Sequence, residues 1–429
     1  MEISQAKPSR ENHALNALRA TAALLVVVSH LRNLLFVDYD QSAHSRIASG
    51  FYVITGMGGQ AVGVFFVLSG YWVGGSVIRQ VSTNTFTWRR HAAARLTRLW
   101  LVLIPALALT ALVDQIGRHY RSASDVYLGA VAYHNIVPTD PGSNEGMRVL
   151  LGNVFFLQRA HVPTFGTDSP LWSLAYEFAY YAMFPMVLLA LARITSTRMR
   201  LLYLLLILCS ATLFGPNVML SGLIWLCGAA VAWQAPKLRA AVDGRRSGPL
   251  QISALIVLMA GLMASKSTGN SWLISATVAL PAALLVITLL PDVNGWRPVR
   301  FLVRLVARLA KSSYSLYAIH CPVAVFATAF MIPRATDRWH LRGSSALILI
   351  SMVCSCLIIA YLFACATENR TEQLRNKISM LPNVASWARG YIVRSSLARC
   401  TNVTCHTLVN SHDSFCSTKC ADEHWGLRT

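Results

Sequence analysis

The stretch RATAALLVVVSH, Arg19–His30, decides how the chain is to be read. Ten residues, most of them apolar, separate a fixed positive charge from a titratable ring. On an α-helix, eleven steps of about 100° make three turns plus about 20°, so Arg19 and His30 share one face about 16 Å apart. The apolar run around them, 17–37, is long enough to cross a bilayer, which takes roughly 17–25 residues. It is too long for the core of a secretory signal, and His30 and Arg32 stand where cleavage requires small side chains. The helix therefore holds an arginine and a histidine along one wall of whatever it lines.

The remainder of the chain repeats the pattern. Of its 429 residues 55% are hydrophobic and only 13% charged, with a mean hydropathy of +0.47; a soluble protein carries about 25% charged residues. Apolar runs lie near 17–37, 52–78, 96–116, 171–192, 200–216, 219–235, 250–265, 271–291, 313–333 and 343–367. The expected fold is an all-α polytopic membrane protein, a bundle of about ten transmembrane helices over 1–367, followed by a short polar cytoplasmic tail, 368–429, without regular structure. With the N-terminus in the cytoplasm, twenty lysines and arginines fall on inward segments, ten on outward loops and eight in the tail. A two-to-one excess on alternating loops is the positive-inside pattern for ten helices with both termini cytoplasmic. The net charge of +20 is thus a topology signal that points to a lipid bilayer as partner and excludes a nucleic-acid role.

Six cysteines (Cys209, Cys227, Cys321, Cys354, Cys356, Cys365) sit in apolar runs and pack as small hydrophobes. Cys400, Cys405, Cys416 and Cys420 lie in the tail at a spacing that fits no tight zinc pattern, so no metal is expected. The second apolar run is glycine-rich and long for one span, and a break is expected near Gly56–Gly63. The outward segment 117–170 is rich in Pro and Gly and reads as a loop interrupted by an interfacial patch, 151–159, a lid or a passive connector.

Ionisable groups inside hydrocarbon are costly and mark function. Glu177, in SPLWSLAYEFAYY, counts to about 10 Å below the outward end of its helix, and His30 to a similar depth. At one level they would form an acid/base pair, the carboxylate orienting the imidazole; separately satisfied polar residues are the alternative. In RRHAAARLTRLW (89–100), Arg95 and Arg98 are i, i+3 on one face at the inward mouth. With Arg19 they make a cationic cluster suited to phosphate, unless they only anchor the topology. His320, in SSYSLYAIHCP, is either a second polar cavity residue or a helix–helix contact, and Ser69 in LSGY reads as a packing residue.

These motifs resemble those of the acyltransferase-3 family of integral membrane O-acyltransferases, which act on O-antigen, exopolysaccharide or Nod factor. LRATAALLVVVSH, GVFFVLSGYWVGG, ARLTRLW, SPLWSLAYEFAYY and SYSLYAIHCP occur in the family's order along nearly the whole membrane part. The resemblance implies ten core helices in a bacterial inner membrane. It also implies acyl-CoA, commonly acetyl-CoA, as donor and a glycan hydroxyl on the far side as acceptor. It maps donor binding onto Arg19, Arg95 and Arg98 and catalysis onto His30 and Glu177. Phe178 stands where the family commonly has a second acidic residue. His30 would act as general base or carry the acyl group covalently. A proton-coupled transporter or flippase of a glycan precursor is the competing expectation, since membrane His and Glu also relay protons.

Overall fold

The computed structural model describes residues 12–42, 45–193, 195–242, 247–266, 271–291 and 297–380, and two short strands at 397–399 and 408–410. Helix α1 (His13–Leu35) starts where the Asn12 side chain accepts the Leu15 N–H at 3.0 Å, an N-cap. The second apolar run divides into α2 (Arg46–Thr55), α3 (Gly58–Ser69) and α4 (Gly75–Ser82), with a π-type turn, Gly70–Gly74, between the last two. The break at Gly56 and Met57 falls within the interval expected from the glycines. The π turn was not legible. It lies where α3 meets a later helix so closely that a Cβ on Gly70 would fall 1.9 Å from the Trp225 carbonyl oxygen.

Helices α5 (Trp88–Arg121), α6 (Met147–Val154), α7 (Trp172–Leu191), α8 (Thr197–Phe214) and α9 (Pro216–Val242) follow. Then come α10 (Ser247–Ala264), α11 (Ser271–Leu289), α12 (Arg297–Leu309), α13 (Ser313–Met331) and α14 (Gly343–Ala366). Among the described residues eight helical stretches are long and apolar enough to cross a membrane; two shorter apolar helices, Gly248–Ala264 and Ala276–Leu289, occupy the seventh and eighth expected positions. Leu201, Leu204, Leu205 and Leu208 of α8, like Leu347, Ile350 and Ile358 of α14, are exposed, as side chains facing lipid must be.

Buried side chains form two groups. One joins α1, α3, α5, α7, α9 and α11; the other joins α1, α5, α13, α14 and the segment Val126–Val137. Phe65 and Tyr314 pack against both, so the seam between the groups runs past them. The outer segment after α5 is folded rather than open. Trp100 Nε1 donates to the Val154 carbonyl at 2.8 Å, and Asn153 spans Val149, Pro163 and Phe165 with three hydrogen bonds.

The chain divides into compact units Met1–Glu372 and Gln373–Thr429. The boundary falls five residues past the expected 367/368. The chain after α14 makes a further turn, Glu368–Arg370, and the Glu368 carboxylate accepts the Ser315 N–H and Oγ–H, each at 3.0 Å. Helix α15 (Thr371–Met380) follows. Within the second unit, expected to lack regular structure, strands β1 (Leu397–Arg399) and β2 (Leu408–Asn410) pair antiparallel with Ala398 opposite Val409. The four tail cysteines lie outside the described residues.

Candidate active site

A cavity of about 380 Å³ lies at the seam. Arg19 of α1, Arg95 and Arg98 of α5 and Glu177 of α7 all line it, together with Tyr181 and Tyr317. The i, i+3 spacing of Arg95 and Arg98 aims both guanidinium groups to one side of α5. The Arg19 guanidinium donates to the Ala310 carbonyl and lies 5.4 Å from the centre of the Trp72 ring. Arg95 lies 5.8 Å from the Tyr181 ring. Both contacts are cation–π pairs that hold a charge without neutralising it.

Glu177 and Tyr181 are i, i+4 on α7, and the phenol donates to the Glu177 carboxylate at 2.8 Å. Tyr181 also contacts Ser69 Oγ at 3.1 Å, which in turn accepts Trp225 Nε1–H at 3.1 Å. Ser69, expected to be a packing residue, is therefore the middle of a buried chain that ends on Glu177. Arg98 interacts electrostatically with Glu177 and with Glu368. Three arginines and one carboxylate, Glu177, line the cavity, while Glu368 interacts with Arg98 and Arg19 from outside the lining, so the lining carries an excess of positive charge. That is the donor set expected for a phosphate-bearing ligand.

His30 is not among the residues lining this cavity. Its Nδ1 lies 2.9 Å from Nε2 of His320, and the two rings stack with centroids 5.1 Å apart. The expectation that Glu177 orients His30 is corrected: the hydrogen-bonding partner of His30 is His320, and Glu177 belongs with the arginines. The depth count failed because α7 does not begin at the membrane surface. Cys321 Sγ–H donates to the Thr167 carbonyl at 3.2 Å, and Cys321 lies ten residues before the end of α13. At 1.5 Å per residue, the chain entering α7 sits about 15 Å inside that end. Ser173 then hydrogen-bonds Tyr317 Oη at 2.8 Å, and Glu177, one turn further along α7, lies about 6 Å nearer the arginines.

Tyr317 links the two sets. It lines the cavity, donates to the Pro170 carbonyl at 2.8 Å, and its ring centroid is 5.9 Å from that of His320 and 6.1 Å from that of Phe65. The five residues read from sequence thus fall into one group of four, Arg19, Arg95, Arg98 and Glu177, and His30 apart, across Tyr317. Phe178 stacks on Phe156 at 4.5 Å, so the position lacking a second acid faces an aromatic cluster. Glu368, Tyr181 and the buried carboxylates Asp114 and Asp168 were missed. Asp114 accepts the Thr167 N–H at 2.9 Å and its hydroxyl at 2.8 Å. The one usable signal was a carboxylate, Glu368, directly after an apolar run.

An all-α membrane bundle with a cationic internal cavity and an imidazole pair, His30 half-buried and His320 buried, beside it has the parts a membrane group-transfer enzyme needs. The profile of the acyltransferase-3 family, described as an acyltransferase domain, matches residues 12–365, and the chain belongs to that family. Acyltransferase MdmB of Streptomyces mycarofaciens is 24% identical over 405 residues, covering 87% of this chain and 95% of that protein. The putative peptidoglycan O-acetyltransferase YrhL of Bacillus subtilis (strain 168) is 23% identical over 384 residues, covering 80% of this chain. The match spans 52% of the length of the Bacillus protein. No solved structure matches the chain. The protein is an integral membrane O-acyltransferase.

Proposed function

We propose that the protein moves an acyl group, acetyl in the first instance, from cytoplasmic acyl-coenzyme A to a hydroxyl of an exported or surface glycan. The observation that carries this reading is the convergence of Arg19, Arg95 and Arg98 on one cavity whose wall, Tyr317, touches the partner ring of His30. The arginines would hold the phosphates, with Trp72 and Tyr181 fixing two of the guanidinium planes. Acyl-coenzyme A supplies the thioester carbonyl. His30 takes the proton of the acceptor hydroxyl as that oxygen bonds the acyl carbon and the carbon–sulfur bond breaks, then returns the proton to the departing sulfur. Positioned proton transfer of this kind contributes about 10²–10⁴-fold. Glu177, held by Tyr181, would set the charge of the donor cavity.

A bacterial inner membrane with both termini cytoplasmic is the location we propose, supported by the charge excess on alternating segments. Similarity to the putative peptidoglycan O-acetyltransferase of Bacillus subtilis supports a glycan acceptor. The test uses membrane vesicles with wild type or His30→Ala at matched expression, labelled acetyl-CoA on the cytoplasmic face, and label counted in extracted glycan. Label with wild type and none with His30→Ala is expected. Equal label in both would remove His30 from the chemistry; none in either, with no acetyl-CoA binding, would favour the transporter alternative.

A further inference from the structure

His320 has its own hydrogen bonds, and they determine the protons of both rings. Its Nδ1 lies 3.0 Å from the Leu316 carbonyl and 2.8 Å from the Tyr317 carbonyl. Carbonyl oxygens only accept, so Nδ1 of His320 carries a hydrogen, shared between them. The Pro at position 322 lacks an N–H for the Ala318 carbonyl and crowds it, which loosens α13 in this turn. His320 is buried, with carbonyls and His30 as its hydrogen-bond partners. A cationic ring without a carboxylate there is costly, so the ring is neutral and its Nε2 is a lone pair. The atom 2.9 Å away, Nδ1 of His30, must then donate.

We infer that His320 is a positioning residue, which fixes His30 in the tautomer with hydrogen on Nδ1 and the lone pair on Nε2. The inference rests on the proposed role of His30 as base, and deepens it. His30 is half-buried, and among the described residues no hydrogen bond engages its Nε2. The basic nitrogen is thereby the one left for the acceptor hydroxyl. In the other tautomer Nε2 would carry hydrogen and be unable to take a proton. The imidazole of His320 does the work that the sequence assigned to Glu177, without placing a negative charge in the hydrocarbon.

The test compares His320→Gln, whose amide oxygen reaches the region of the imidazole Nε2 and accepts, with His320→Leu, which fills the space and does not. Initial rates with acetyl-CoA are measured in vesicles. Nitrogen spectra of ¹⁵N-histidine-labelled wild-type protein, assigned against His30→Ala, read the tautomer of His30 directly. His320→Leu should lower kcat about 100-fold, the scale of a lost orienting partner, with KM for acetyl-CoA within about twofold of wild type. His320→Gln should recover to within about tenfold of wild type. The wild-type spectrum should show His30 protonated at Nδ1. Equal losses in the two variants, full activity in folded His320→Leu, or a His30 protonated at Nε2 would each overturn the inference. Absence of turnover by the wild type would instead remove acyl-coenzyme A as donor, while the spectrum still decides the tautomer.

Discussion

At the scale of single residues, the two ends of the first motif have separate surroundings. Arg19, Arg95 and Arg98 were legible because charge at a fixed helical spacing specifies a face, and the cavity collects all three. Removing one of them should raise KM for acetyl-CoA: Arg95→Ala or Arg98→Ala by about tenfold, the worth of one charge-assisted contact, with kcat less affected. Glu177 makes the sharper case. If it oriented His30, Glu177→Gln would depress kcat. Because it faces the arginines, the same change removes a negative charge from the cavity proposed to hold the donor phosphates. KM for acetyl-CoA should fall a few-fold, and the His30 tautomer should not change. Steady-state kinetics over a range of donor concentrations separate the two outcomes. On the other side of the bundle, Lys266 lies beside Arg32 at the Gly56 break, where a Cβ would meet Lys266 Nζ at 2.6 Å and Arg32 Nη2 at 3.4 Å. Burial, then the Arg32 charge, holds the Lys266 ammonium below the usual lysine range. The folded state therefore releases this proton at lower pH than the unfolded chain does. Stability gains from this group as pH rises from the lowered value toward about 10.4, the ordinary lysine value. Lys266→Met should remove that gain, flattening the rise of the unfolding midpoint as pH approaches about 10.4, and should raise the midpoint at pH 7.

At the scale of elements, glycine positions in the second apolar run were readable as a break, but their packing was not. The reason is that the partner lies far along the chain. Gly70 approaches the Trp225 carbonyl, and Gly228 approaches the Val67 carbonyl, each so closely that a Cβ would fall 1.9 Å from oxygen. Backbone oxygen cannot rotate away as a side chain does. Gly228→Ala should therefore push α3 and α9 apart and cost about 1–3 kcal/mol, seen as a lower unfolding midpoint in detergent. A Cβ on Gly59 would meet nothing within 4 Å, so Gly59→Ala should leave the midpoint unchanged or higher, as helix propensity dictates. Equal loss in both variants would show that the damage is not specific to the crossing. The same locality explains the misplaced glutamate. A depth count assumes that each helix starts at the surface. Helix α7 starts from Thr167–Leu171, which is packed against Cys321 and Tyr317, and no periodicity within α7 records where its first residue sits.

At the scale of the molecule, sidedness is what would join the cavity to its proposed donor. Arg19, Arg98 and Glu368 come from the first half of α1, the first half of α5 and the turn after α14, all at the end where positive charge is concentrated along the chain. Helix α12 adds to that end. Arg300, Arg304 and Arg308 recur at helical spacing while Phe301, Leu302 and Leu305 stay exposed, the pattern of a helix lying in an interface. Two parts of the chain test the sidedness. Ser143 lies in the exposed segment between α5 and α6, and Thr83 follows α4 at the opposite end. In a background without reactive cysteines, Ser143→Cys should react with a membrane-impermeant maleimide added to intact cells. Thr83→Cys should react only after the membrane is permeabilised. The reverse pattern would put the arginine cavity on the side away from coenzyme A and would sink the proposed donor. The expected pattern leaves the donor cavity cytoplasmic and His30 farther toward the acceptor side, with the phenol of Tyr317 between them. The acyl group must then pass that phenol to reach the histidine. Tyr317→Phe keeps the ring and breaks its hydrogen bonds to Ser173 and Pro170. It should therefore alter kcat while leaving KM for acetyl-CoA within about twofold, whereas equal changes in both constants would place Tyr317 in donor binding.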